Sequence, residues 1–237
     1  MAGHNKWSKI KRQKGVEDAK RGAVFTKVIK QITTAAKQGG GDIDGNPALR
    51  VAVAKAKEVS MPQDNIKRAI DKATGNLDGV NYEEILYEAY GPNGVAIMIE
   101  TMTDNRNRTV ANIREILNKN GGSLGESGCV NWMFEKKGII TIQRGSLDDE
   151  LMEVAMENGA EDIVEYDEAL IFECNPTDFN SLLGEIDKLD VKILESNIDL
   201  IASNEIELGE DDALKIESLV EKLENDDDVQ SVFTNMK

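Results

Sequence analysis

The chain has 237 residues, 40% of them hydrophobic, and a formal net charge of −16 from 44 Asp and Glu against 28 Lys and Arg. That length and apolar content suffice for one large or two to three small domains with true cores. No apolar run approaches the roughly 18 residues that span a bilayer; the longest clear one is Val95-Ala96-Ile97-Met98-Ile99, so no membrane partner is expected.

The charge is divided unevenly. Residues 1–77 hold 16 Lys and Arg against 7 Asp and Glu, a net +9, whereas residues 78–237 hold 12 against 37, a net −25. A basic block beside an acidic body reads as a nucleic-acid face carried by a body that repels nucleic acid. A solvated helix surface is the competing account of the same charges. The block opens with residues 3–15, GHNKWSKIKRQKG, which contain five cations and no acid. No apolar signal core follows these cations, and Glu17 and Asp18 come early for a targeting peptide, so a cytoplasmic protein is expected.

From Val16 a helical period sets in. Val24, Val28, Ile32 and Ala35 share one face, flanked by Phe25, Ile29 and Ala36, until Gly39-Gly40-Gly41 stops the helix. Asn46 before Pro47 is an N-cap followed by proline at the first helical position, and Leu49, Ala52, Val53 and Ala56 supply the buried stripe of a second helix. Ser60-Met61-Pro62 ends it, and Ile66, Ala69, Ile70 and Ala73 line a third helix before Gly75. Three short helices with brief connections predict a small bundle whose Lys and Arg fall mostly off the apolar stripes.

After Gly79 strands and helices alternate. Residues 82–90 and 95–103 predict an antiparallel hairpin around Gly91-Pro92-Asn93-Gly94, followed by a helix over 109–118 with Val110, Ile113 and Leu117 inward. Residues 139–143, 148–158, 162–166, 169–174, 176–189 and 191–196 then read as βαββαβ, the split ferredoxin-like arrangement. A helix over 210–224 and a strand over 229–234 remain, and they complete a second sandwich only by returning to the first hairpin. The predicted fold is therefore α+β and multidomain: an N-terminal three-helix bundle followed by two ferredoxin-like α/β sandwich domains, one inserted in the other. The expected domains are 1–77 (basic arm and bundle), 79–133 with 208–237 (discontinuous α/β domain) and 134–207 (inserted ferredoxin-like domain).

Catalytic chemistry finds little to build on. The single histidine, His4, lies in the arm, which removes histidine-based catalysis and histidine-ligated metals from the body. Gly125-Glu126-Ser127-Gly128-Cys129 is a near miss to GxSxG, with Cys in the last place and no body histidine to activate Ser127. Cys129 and Cys174 stand apart and outside any CxxC, which reads as buried apolar filler rather than a disulfide or zinc framework. No P-loop or dinucleotide fingerprint occurs, and acid runs such as Asp226-Asp227-Asp228 read as solvated surface. No catalytic residue, cofactor, metal or small-molecule substrate is expected.

Binding chemistry fares better. Lys6, Lys9, Lys11, Arg12, Lys14, Lys20, Arg21, Lys27 and Lys30 can neutralise phosphates, each contact releasing condensed counterions. Trp7 among them offers a face for a base, worth roughly 1–3 kcal/mol if stacked, or equally a hydrophobic anchor folding the arm onto the bundle. In Thr103-Asp104-Asn105-Arg106-Asn107-Arg108-Thr109 a strand hands over to a helix, where Arg106 and Arg108 are candidate phosphate donors beside backbone amides that attract anions. A capping turn with both arginines paired to neighbouring acids is the competing account. The loop 121–128, GGSLGESG, suits either close backbone approach or a plain linker.

No recognition helix with Asn, Gln and Arg presented together is evident, nor a zinc module, nor the several aromatics of an RNA-binding sheet. Readout is therefore expected to be of shape and phosphate. The expected partner is nucleic acid, with structured rRNA on the ribosome favoured, DNA as the alternative, and an acidic protein-interaction scaffold as a second alternative.

The stretches MAGHNKWSKIK, DAKRGAVFTK, GGG, MPQDNIKRAI, YEEILYEAYGPNGVA, TDNRNRT, GGSLGESG and DDDVQSVFTN, in this order along nearly the whole chain, resemble the YebC family. That family is similar to the mitochondrial translational activator of cytochrome c oxidase. The resemblance implies a helical bundle and two α/β domains in a cytoplasmic, non-enzymatic regulator. Its implied role is transcriptional regulation through DNA or relief of stalled translation on ribosomes. Asn5 stands where the family usually has Ser, and Ala202 where Ile-Pro often occurs; neither touches the basic face.

Overall fold

A computed structural model of the chain describes residues 19–75 and 80–237, with side chains from residue 22 onward in the first span. Three helices open it: α1 (Ala19–Gly39), α2 (Pro47–Glu58) and α3 (Gln63–Gly75). They bury the predicted stripes against one another, with Val28, Ile32 and Ala35 from α1, Leu49 and Val53 from α2, and Ile66 and Ala69 from α3 in one apolar cluster. Asn46 does more than cap. Its Oδ1 accepts the Leu49 N–H at 3.1 Å, while its Nδ2 donates to the carbonyls of Ala35 and Gly40 at 2.8 Å each, joining the end of α1 to the start of α2.

The first sandwich is built from β1 (Glu83–Tyr90), β2 (Ala96–Thr103), α4 (Arg106–Lys119), β3 (Ser123–Leu124), α7 (Glu210–Glu224) and β8 (Val229–Thr234). Strand order is β3-β1-β2-β8. The hairpin register runs from Glu83 opposite Thr103 to Tyr90 opposite Ala96, and its turn places Asn93 and Gly94 in the left-handed region, at φ 59° and 75°. β2 is buried along most of its length, with Ile113 and Leu117 of α4 and Ile216, Leu219 and Leu223 of α7 also in the core.

Between β3 and β8 the chain forms a second sheet. It comprises β4 (Phe134–Gln143), β5 (Ala160–Glu165), β6 (Ala169–Cys174) and β7 (Ile193–Ala202), in the order β5-β6-β4-β7, with α5 (Asp148–Glu157) and α6 (Phe179–Ile186). This is the βαββαβ wiring read from the sequence, inserted in the first sandwich. The first sandwich is also four strands layered with two helices, but its wiring is ββαβαβ. The second core unites Ile140, Ile142, Leu170 and Phe172 of the sheet with Leu151, Ala155, Leu182 and Ile186 of the helices. The chain divides into two compact units, Val130–Leu208 with Phe233–Lys237, and Gly209–Val232 with the described chain up to Cys129. The bundle thus belongs to the same unit as the first sandwich.

Several boundaries differ from expectation for identifiable reasons. α4 begins at Arg106, three residues early, because Asn105 caps it by accepting the Arg108 N–H at 3.1 Å. β4 and β7 pair from Phe134 opposite Ala202, well beyond the apolar stretch that marked them in the sequence. α6 is shorter because Asn175 holds the preceding residues in a turn, its Oδ1 accepting the Thr177 N–H at 3.0 Å. The loop 121–128 is pinned rather than slack. Ser123 and Leu124 pair with Tyr90 and Ala89, and both the backbone and the side chain of Glu88 accept N–H groups, from Gly125 at 2.8 Å and Gly128 at 2.6 Å. Gly122 is required there, since a Cβ would lie 2.7 Å from the Tyr90 carbonyl oxygen.

Candidate nucleic-acid interface

The outward faces of α2 and α3 carry six of the bundle's nine described cations, the other three lying on α1. Arg50, Lys57, Lys67, Arg68 and Lys72 are exposed and Lys55 is half-buried. Among the described residues none of these six makes an ion pair. Arg50 and Arg68 donate only to backbone carbonyls, of Asp44 and Asp64. Helical spacing accounts for this: with Leu49, Ala52, Val53, Ala56, Ile66, Ala69 and Ala73 turned inward, these cations fall on the opposite side. The acidic body treats its cations differently. Of its twelve Lys and Arg, seven are held in ion pairs: Arg108, Lys119, Lys137, Arg144, Lys188, Lys215 and Lys237.

Lys30, expected among the phosphate contacts, proves instead to be a buried strut. It is 6% exposed, and its ammonium donates to Asp228 Oδ1 at 2.5 Å, the Asp227 carbonyl at 2.7 Å and the Met102 carbonyl at 3.3 Å, while lying 5.6 Å from the Tyr82 ring centre. Lys27 also turns inward, donating to the Glu224 carbonyl at 2.7 Å. Lys6, Trp7, Lys9, Lys11, Arg12 and Lys14 lie outside the described residues, as do the side chains of Lys20 and Arg21.

At the start of α4 the two arginines part company. Arg106 is exposed and makes no ion pair among the described residues; it lies beside the Tyr87 phenol, whose pKa burial raises and Arg106 pulls down. Arg108 has the geometry of the capping alternative. Its Nη2 reaches Asp228 Oδ2 and Asp104 Oδ1, both at 2.8 Å, and hydrogen bonds to these two carboxylates raise its pKa further.

Asp228 is the hub, and no local pattern signals it: the run 226–228, read as solvated surface, has its last member 3% exposed. Besides Lys30 and Arg108, its carboxylate accepts from Thr109 Oγ1 at 2.8 Å and Thr103 Oγ1 at 3.2 Å. Burial alone would raise its pKa; the hydrogen bonds from Lys30, Arg108 and Thr109 overcome that and hold the carboxylate at about 2. Asp226 braces the turn by accepting the Asp228 N–H at 2.9 Å and the Asn112 amide at 3.0 Å. One carboxylate therefore ties α1 of the bundle to β2, α4 and the turn before β8.

Ser127 is exposed, and burial and the Glu88 charge raise the pKa of the Cys129 thiol, which disfavours its thiolate. Among the described residues no group of three or more His, Cys, Asp or Glu is placed to hold a metal ion, and no helix is long and apolar enough to cross a membrane.

Residues 82–236 match the family described as TACO1/YebC second and third domain, and residues 5–76 match the TACO1/YebC protein N-terminal domain. The chain belongs to the TACO1/YebC family. A relative from a Nitratiruptor species, named a probable transcriptional regulatory protein, is 59% identical over 237 residues, all of both chains. One of the same description from Desulforapulum autotrophicum is 50% identical over 99% of this chain and 96% of its own. The fold resembles the crystal structure of a conserved hypothetical protein from Aquifex aeolicus, with a TM-score of 0.84 and 41% identity, covering 93% of this chain and 91% of that one. The solved structure agrees with the α+β reading, and the name that both curated relatives carry is that of a regulatory protein.

Proposed function

We propose that this TACO1/YebC protein is a non-enzymatic, nucleic-acid-binding regulator of gene expression that grips the phosphate backbone through residues 1–77. The observation that carries the reading is the contrast in ion pairing: the outer cations of α2 and α3 have no carboxylate partner among the described residues, whereas the acidic body has partnered most of its own. Unpaired surface cations are the ones able to exchange condensed counterions for phosphates. The five arm cations add to this set, and Arg106 is a candidate outlying contact.

The favoured target is structured RNA on the ribosome, in a translation factor that relieves stalling. A protein that reads phosphate and shape gains its specificity from a partner with a fixed arrangement of phosphates, and folded rRNA offers one. The second reading is a DNA-binding transcriptional regulator, favoured by the name its relatives carry. Crosslinking in cells followed by sequencing of the bound nucleic acid separates the two. Enrichment on rRNA is expected; reads confined to promoter DNA would transfer the assignment to transcription.

A further inference from the structure

The sheet of the first sandwich has an edge that is closed at one end only. β3 pairs with β1 solely at Ala89 and Tyr90, so residues 83–87 have β2 on one side and no strand on the other among the described residues. The hairpin fixes which backbone groups this leaves open. Gly91 N–H donates to the Val95 carbonyl at 2.8 Å, and counting back along the register makes Ala89, Tyr87, Ile85 and Glu83 the residues that exchange bonds with β2. Glu84, Leu86 and Glu88 therefore turn their backbone groups the other way, and the Glu88 carbonyl accepts the Gly125 N–H there at 2.8 Å. Beyond that bond the glycine loop leaves the edge. The N–H and carbonyl of Glu84 and of Leu86 have no partner among the described residues. Both residues are exposed, and Leu86, at 43%, is a large apolar side chain open to solvent.

We propose that this edge takes an extended, basic segment of a partner protein as an added strand. An open row of alternating donors and acceptors is satisfied by another backbone lying about 4.8 Å away, whose side chains then alternate between the two faces of the sheet. Charge selects the segment. Glu83 and Glu84 are exposed, lie on opposite faces of the strand, and make no ion pair among the described residues. Lysine or arginine at two neighbouring positions of the added strand meets one carboxylate on each face, and Leu86 offers contact to an apolar residue beside them. Arg106 stands beside Tyr87 at the other end of the stretch, so the cations belong at the Glu83 and Glu84 end. The same two carboxylates oppose a second copy of the chain, whose own edge is equally acidic. Residues 78–237, with 12 Lys and Arg against 37 Asp and Glu, draw cationic chains and repel acidic ones. The proposal is independent of the phosphate-binding reading, since no cation of the bundle enters it.

The test uses the full chain and a fluorescein-labelled peptide, Lys-Lys-Thr-Val-Thr-Lys-Lys, with a backbone N-methylated copy that keeps the charge and loses the donors. Fluorescence anisotropy should show the first peptide binding and the second binding about tenfold more weakly or not at all. Leu86→Pro removes an outward N–H and no bond to β2, and should weaken binding about tenfold at an unchanged melting temperature. Glu83→Gln with Glu84→Gln should weaken it several-fold, whereas Glu150→Gln with Glu153→Gln on α5 should leave it unmoved. Amide exchange followed by NMR reads the edge itself. The Glu84 and Leu86 amides should exchange fast in the free chain and slow when the peptide binds, while those of Ile85 and Tyr87 stay slow throughout. Equal binding of the methylated peptide, an equal loss in the α5 control, or Glu84 and Leu86 amides indifferent to the bound peptide would each overturn the proposal. Protection of those two amides that grows with protein concentration alone would assign the edge to a second copy and overturn it as well. Should Leu86→Pro lower the melting temperature, the glutamine pair and the methylated peptide decide the matter without it.

Discussion

Replacing Asp228 by Ala should be among the most damaging single changes in the described chain. It would strand the Lys30 ammonium, 7% exposed at its side chain, among carbonyls and apolar groups, and free two threonine hydroxyls. Removing one partner of a buried pair costs about 3–5 kcal/mol, because the surviving charge is left uncompensated. Lys30→Met should cost less, about 1.5–3 kcal/mol, since Asp228 keeps Arg108 and the threonines. Arg108→Ala should cost under about 1 kcal/mol, its side chain being 47% exposed. Urea unfolding followed by circular dichroism measures all three, and high salt should not erase the order, because a buried pair is poorly screened. An Asp228→Ala protein within about 0.5 kcal/mol of the parent would refute the hub, since that is the scatter of ordinary surface changes.

The same carboxylate predicts a pH signature. Its folded pKa of about 2 lies below the usual value, so its contribution, about 2 kcal/mol, is present above pH 4 and is lost as pH falls towards 2; Asp228→Asn should lack that acid-dependent component. Arg106→Ala should leave stability unchanged and weaken nucleic-acid binding by about 1 kcal/mol, whereas equal binding would remove Arg106 from the interface. Gly122→Ala should destabilise the first sandwich by more than about 1 kcal/mol, because its Cβ meets the Tyr90 carbonyl at 2.7 Å; an unchanged melting temperature would show that the β1–β3 edge yields.

What could be read in advance followed from periodicity. The bundle was legible because Val28, Ile32, Leu49, Val53, Ile66 and Ala69 recur at helical spacing, and Asn46-Pro47 and Gly39-Gly40-Gly41 punctuate it. The inserted sheet was legible from its apolar strands, though the polar half of β4, with Glu135, Lys136 and Lys137, carried no such signal. Asp228 was hidden because burial of one acid in a run of three depends on Lys30, nearly two hundred residues away, and periodicity does not encode such a pairing. Lys30 deceived for the complementary reason: in sequence it is one lysine of a basic block, and only folding sets it against the Asp228 carboxylate. The short β3 strand was obscured by its glycines, which suggest slack where the backbone is tightly approached.

The salt dependence of nucleic-acid binding tests the phosphate grip of the bundle most directly. Fluorescence anisotropy with a structured rRNA fragment and a duplex DNA, over a range of salt, compares the parent with Lys57→Ala, Lys67→Ala and Lys72→Ala combined. Each lost phosphate contact should reduce the slope of log affinity against log salt by about 0.7–0.9, a fall of about 2–3 with stability intact. An unchanged slope and affinity would contradict the claim that the helical bundle holds the phosphates.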